Sequence, residues 1–314
     1  MLFVASSGTR LIAKRVSALH TSCNLTLETV TLHSRREFLA TLGVTALGMA
    51  GINVAGACAS VPTRRKLGNI GLQLYTVRDL MEKDLPGTLA KVAFIGYKEV
   101  EFAGYFGRTP AQIRDLLQQN QLTSPSSHIG IDMFEKDAAA AIGAAKAIGN
   151  TWATVPWLPE ERRKTVDDWK KLAGQLNTFG AAAMSQGLRL AYHNHDFEIR
   201  PVEGVRPLDL LLMNTDPNLV DFEMDLYWVK FGGGDPLEFF NRYPGRFPMV
   251  HVKDSAGPPE NRMVDVGSGK INFPEIFAQS GKAGIKHYFV EHDQPANPIA
   301  TITNSYRYLA SVEI

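Results

Sequence analysis

From Lys66 to Ile314 the chain alternates short β-type runs with amphipathic helical stretches, again and again in the same order. That alternation constrains the fold more than any single motif, because strands joined through helices pair in parallel. The strands read as Ile70–Tyr75, Glu99–Phe102, Thr123–His128, Trp152–Pro156, Leu188–His193, Val220–Leu226, Met249–Val252 and His287–Glu291. The clearest helices read as Leu85–Ile95, Pro110–Gln119, Lys136–Ile148 and Asp167–Gln186. Leu208–Met213, Glu238–Tyr243, Phe273–Ser280 and Ile299–Ala310 complete the later units. Pro110 and Pro274 suit first helical turns, and Gly96, Gly187 and Gly284 stand where helices should stop. Eight such units in about 250 residues are the usual size of a closed (β/α)8 barrel. An open doubly wound sheet is the rival, but no G-x-G-x-x-G accompanies the first strand, where Gly71-Leu72-Gln73-Leu74-Tyr75 stands instead. With no break in composition, residues 66–314 read as one TIM-barrel domain.

Residues 1–60 read differently. Ser34-Arg35-Arg36-Glu37-Phe38-Leu39-Ala40 opens a weakly apolar run that ends in the small residues Ala55-Gly56-Ala57-Cys58-Ala59. A charged start, an apolar middle and a small-residue cleavage site make an export signal. The arginine pair resembles a twin-arginine (Tat) signal, which implies the Tat machinery as a partner and a periplasmic or otherwise exported destination. Cys58 adds the option of a lipid anchor. The only two cysteines, Cys23 and Cys58, precede the barrel, so no disulfide can form within it. A net charge of +1 gives no electrostatic basis for nucleic-acid binding.

Catalytic groups of such barrels sit at the C-terminal strand ends, and residues two apart on a strand share a face. His193 and His195 pair in this way, as do His251 and Lys253. Asp221, Glu223 and Asp225 give the sixth strand an acidic face, and Glu291 ends the eighth. Glu101 and His128 stand at the ends of the second and third strands. Unpaired buried carboxylates are costly, and a shared cation relieves them. Mixed histidine and carboxylate donors suit Mn, Zn, Co or Fe, and Mg less well.

The body resembles the sugar phosphate isomerase/epimerase family, the xylose isomerase-like or AP-endonuclease-2-type barrel. The resemblance rests on Gln73-Leu74-Tyr75-Thr76-Val77-Arg78, Val100-Glu101-Phe102, Tyr192-His193-Asn194-His195, Asp225, His251-Val252-Lys253-Asp254, Val264 to Gly269, and Glu291. It implies a divalent metal held by His193, Asp225, His251 and Glu291, with His193 standing where the family usually has Glu. That departure removes one of the two glutamates an epimerase uses as paired bases and brings keto-inositol dehydratases into view. The DNA-repair branch would need further histidines, where Trp228 and the stretch Asn261–Val266 offer none.

The resulting expectation is a metal-dependent sugar isomerase/epimerase that abstracts a proton next to a carbonyl. A keto-glycoside or inosose-type lyase is the first alternative, and a non-catalytic sugar-binding protein the second. Glu291, His193 and Lys253 are the candidate catalytic residues, and Glu101, His128, Trp157 and His195 the candidate substrate contacts. Asp254 and Asp265 are candidates to orient the ligands. No phosphate loop is apparent, so an unphosphorylated carbohydrate is expected. A homo-oligomer is left open.

Overall fold

The computed structural model describes residues 66–314, so the export signal and Cys58 lie outside the described residues. Eight parallel strands close into a barrel: β1 (Ile70–Gln73), β2 (Glu99–Ala103), β3 (Thr123–His128), β4 (Trp152–Val155), β5 (Arg189–His193), β6 (Val220–Asp225), β7 (Met249–Val252) and β10 (His287–Val290). Each pairs with its neighbours in chain order, and β1 closes the ring on β10 through Ile70–Tyr288, Gly71–Phe289 and Leu72–Val290. A short hairpin, β8 (Asp254–Ser255) with β9 (Met263–Val264), is inserted after β7. Among the described residues, no helix is long and apolar enough to cross a membrane.

The helices begin where local chemistry favours them. Thr109 and Thr165 form capping boxes with Gln112 and Asp168. Gly96 and Gly284 end helices at positive φ, where a Cβ would be strained. Two helices start earlier than the hydrophobic periodicity predicts, at Arg78 and Ile131. Each is broken at an aspartate, Asp84 or Asp137, whose side chain accepts the backbone N–H three residues on. The expected periodic runs, from Leu85 and from Lys136, begin at or next to these breaks. The helices Leu226–Phe231 and Ser280–Ala283 were not expected, being too short to show a period.

Alternating side chains fill the barrel in layers. At the N-terminal end Asp221 accepts from Trp152 Nε1 at 2.7 Å and from Arg189 Nη2 at 2.8 Å, while Glu99 meets His287 at 2.8 Å. Above them Trp152, Ala191, Met249 and Phe289 form a separate apolar cluster. The next layer toward the C-terminal end is polar, and it is the floor of the site.

Candidate metal centre and cavity

Each candidate ligand is aimed by the way its strand ends. Asp225 is the last residue of β6 and the N-cap of the helix Leu226–Phe231. Its Oδ1 accepts from Trp228 N at 2.8 Å, and its own N–H donates to Asn194 Oδ1. This leaves Oδ2 for the site. His193 ends β5 with Nδ1 3.2 Å from the Pro156 carbonyl, which suits an N–H there and a free lone pair on Nε2. Glu291 follows β10, tied by its N–H to the Val252 carbonyl at 3.2 Å. His251 is wholly buried, with Nδ1 2.8 Å from Glu291 Oε2 and Nε2 2.8 Å from Glu101 Oε2.

His193, Asp225, His251 and Glu291 therefore converge, one ligand atom from each lying within 4.8 Å of all the others. The measured pairs are 2.8 Å for His251–Glu291, 3.3 Å for His193–Asp225 and 3.9 Å for His251–Asp225. Donors about 2.0–2.1 Å from a tetrahedral ion stand roughly 3.4 Å apart, so the set fits a divalent cation. Glu101 would hold the outer nitrogen of His251, the carboxylate–histidine arrangement that fixes a ligand's tautomer.

Lys253 is almost entirely buried beside this set, 3.0 Å from Asp225, 2.8 Å from Glu291 and 2.7 Å from Asp293. Burial alone would lower its pKa, but the three carboxylates raise it well above the usual lysine range. For His251, burial likewise opposes the charge and Glu223, Glu291 and Glu101 outweigh it, pushing the ring well above the histidine range. His195 goes the other way: burial and then His193 and Lys253 hold it well below, as a neutral imidazole. It stacks on Phe197 with ring centroids 5.2 Å apart.

A cavity of about 750 Å³ opens over this centre. His128, His193, His195, Lys253, Glu291 and Asp293 supply its polar wall, and Tyr75, Met133 and Trp157 an apolar one. Trp157 is 47% exposed and free to meet a ligand, not packed in the core. Of the expected substrate contacts, His128, Trp157 and His195 line the cavity. Glu101 does not. It is fully buried beneath His251, accepting from Gln73 Nε2 at 2.7 Å and from Ser126 Oγ at 2.5 Å. Asp254 and Asp265 are also corrected. Asp254 gathers the N–H groups of Ser255, Gly267, Gly269 and Ile271, and Asp265 accepts from Asn304, so both organise the β7–β10 connection.

Two further acids belong to the site. Glu223 was seen only as part of an acidic face, yet it bonds His128 at 2.8 Å beneath the mouth. Asp293 stands two residues past Glu291, the end of the expected strand, on the same two-residue alternation, but in the loop that follows β10. Asp221 shares the face of β6 with Glu223 and Asp225 but belongs to the ion-paired layer at the far end.

The family described as xylose isomerase-like TIM barrel matches residues 89–311. The inosose dehydratase of Lacticaseibacillus casei is 29% identical over 259 residues, 70% of this chain and 86% of that protein. The inosose dehydratase of Geobacillus kaustophilus is 27% identical over 202 residues, 54% of this chain and 65% of that protein, so the match spans just under two thirds of its length. A crystal structure of a sugar phosphate isomerase/epimerase from Parabacteroides distasonis superposes with a TM-score of 0.68 at 27% identity, covering 83% of this chain and 99% of that one. A crystal structure described as IOLI protein with a binding zinc atom shares the fold, with a TM-score of 0.63 at 13% identity over 78% of this chain and 98% of that one. The dehydratase relatives overturn isomerisation as the leading expectation and favour the elimination alternative.

Proposed function

On the premise that the chain belongs to the xylose isomerase-like TIM-barrel family, we propose that it is a metal-assisted dehydratase of a ring-shaped keto-polyol, of the inosose kind. The observation that carries this reading is His193. Inverting a carbon by two bases needs carboxylates on both sides of the substrate, and here the position facing Glu291 is a buried imidazole hydrogen-bonded to a carbonyl. Elimination needs only one base and one proton donor.

The reaction is redox-neutral. The C–H bond next to the ketone breaks, the C–O bond on the following carbon breaks, and water leaves, so that a keto-polyol becomes an enone. A divalent cation held by His193, Asp225, His251 and Glu291 would supply Lewis-acid polarisation of the carbonyl. The chain's own residues would do the rest. Lys253, fixed as a cation by Asp225, Glu291 and Asp293, offers charge where the oxyanion develops. His195 lines the cavity as a neutral imidazole outside the ligand set, which suits it to accept the proton and return it to the departing hydroxyl. Trp157 and Tyr75 would cover an apolar face of the ring. Delivery through the Tat route belongs to the same proposal and rests on Ser34–Ala40 alone.

The test is to incubate the purified chain with an inosose and Mn²⁺, Co²⁺ or Zn²⁺, following enone absorbance and the loss of one water by mass. Conversion to a product of unchanged mass would sink the proposal, as would binding without conversion.

A further inference from the structure

We infer that the barrel holds a second cation site directly beneath the first, formed by Glu101, His128, Glu223 and the Nε2 of His251. These side chains come from four strands, and one ligand atom of each lies within 4.8 Å of the other three. The separations are 2.8 Å for His128–Glu223, 3.3 Å for His128–Glu101, 2.8 Å for His251–Glu101 and 3.2 Å for His251–Glu223. The two longer separations approach the roughly 3.4 Å between donors of a tetrahedral ion, and the 2.8 Å pairs would have to open by only about half an ångström to admit one. Two imidazole nitrogens with two carboxylates select Zn²⁺, Mn²⁺, Co²⁺ or Fe²⁺ over Mg²⁺.

A competing explanation is that protons alone hold the cluster together, with His128 and His251 donating to the two glutamates. That accounts for Oε2 of Glu101 and Oε2 of Glu223, and Gln73 and Ser126 complete Glu101. It does not account for the other oxygen of Glu223. Glu223 has no exposed surface, and its Oε1 has no hydrogen-bond partner among the described residues. A buried carboxylate oxygen without a donor is costly, and a cation shared by both oxygens removes the cost. Below lie Met249 and Phe289 of the apolar layer, which offer no donor.

The two sites meet at His251, which offers Nδ1 upward and Nε2 downward. A neutral imidazole has one free lone pair. Filling the mouth site through Nδ1 therefore puts a proton on Nε2 and removes one ligand from the deep site. The deep ion should then bind at least about 10–100-fold more weakly than it does when the mouth is disabled, since losing even a partner that only orients a ligand costs that much.

The experiment is equilibrium dialysis of the full chain against Zn²⁺ with metal counted by mass spectrometry, so it is independent of which reaction is catalysed. Asp225→Asn disables the mouth site. The variant should keep one ion per chain, bound more tightly than the second ion of the unaltered protein, and adding Glu223→Gln should release it. An Asp225→Asn protein that binds no zinc, or whose ion survives Glu223→Gln, overturns the inference. If circular dichroism shows Asp225→Asn unfolded, Glu291→Gln serves in its place. Should neither fold, Glu223→Gln in the otherwise unaltered chain decides, since an unchanged zinc stoichiometry there also overturns it.

Discussion

Glu198 is buried in the turn after β5 and should make the protein's stability fall as pH rises through neutrality. Its Oε1 accepts from Tyr192 OH at 2.5 Å and its Oε2 from the N–H of His195 at 2.8 Å. Both donors favour the carboxylate, as does Arg163, but burial outweighs them and raises the pKa from 4.5 to about 8. A carboxyl whose pKa is raised on folding contributes its stability below the unfolded value, and that contribution is lost as pH climbs through the folded one. At roughly 1.36 kcal/mol per tenfold change, the full effect is about 5 kcal/mol, of which about 2 kcal/mol falls between pH 6 and pH 8. Glu198→Gln keeps an acceptor for the His195 N–H and a group opposite Tyr192 but cannot ionise. Urea unfolding of both proteins at a series of pH values isolates the residue, because every other titration is common to the two. The variant should gain on the parent steadily above about pH 5. Parallel stability curves would refute the reasoning and would mean that the two hydrogen bonds, not burial, set the charge of Glu198.

Other outcomes follow from the same geometry. Gly71→Ala should destabilise by about 1–3 kcal/mol in thermal melts, since its Cβ would meet the ring of Phe289 inside the barrel. Asp225→Asn should abolish turnover without unfolding the chain, because Asn still caps the helix Leu226–Phe231; turnover near the parent rate would remove Asp225 from the centre. His195→Gln should lower kcat by roughly 10²–10⁴-fold with zinc content unchanged, and an unchanged kcat would exclude it as the proton carrier. Trp157→Ala should raise KM by about tenfold with little change in kcat, as expected for a rim contact felt equally by substrate and transition state.

Much of this was legible in the sequence, for reasons that differ by residue. The barrel follows from strand–helix alternation, and His193, Asp225, His251 and Glu291 follow from strand ends, because a parallel barrel puts every such end on one face. Glu101 was misplaced because strand position gives a face but not a depth. Facing Ser126 in register, it lies a layer below the mouth. Glu223 carried a signal in its alternation with Asp225, whereas Asp293 depends on the path of a loop. The breaks at Asp84 and Asp137 could have been read from an aspartate three residues ahead of the N–H it caps, a cue weaker than the periodicity around it.

The layering also bears on why the departure at His193 can be tolerated. A glutamate there would add a sixth carboxylate to Glu101, Glu223, Asp225, Glu291 and Asp293, against Lys253 and the cation the centre would hold. A neutral histidine would supply a ligand atom without adding charge and, in the proposed elimination, would leave Lys253, balanced by three acids, available to a developing oxyanion. The apolar layer of Trp152, Ala191, Met249 and Phe289 then separates this charged end from the Arg189–Asp221 pair that closes the opposite end. Substitutions at the far end should therefore alter stability and leave the site's charge balance unchanged.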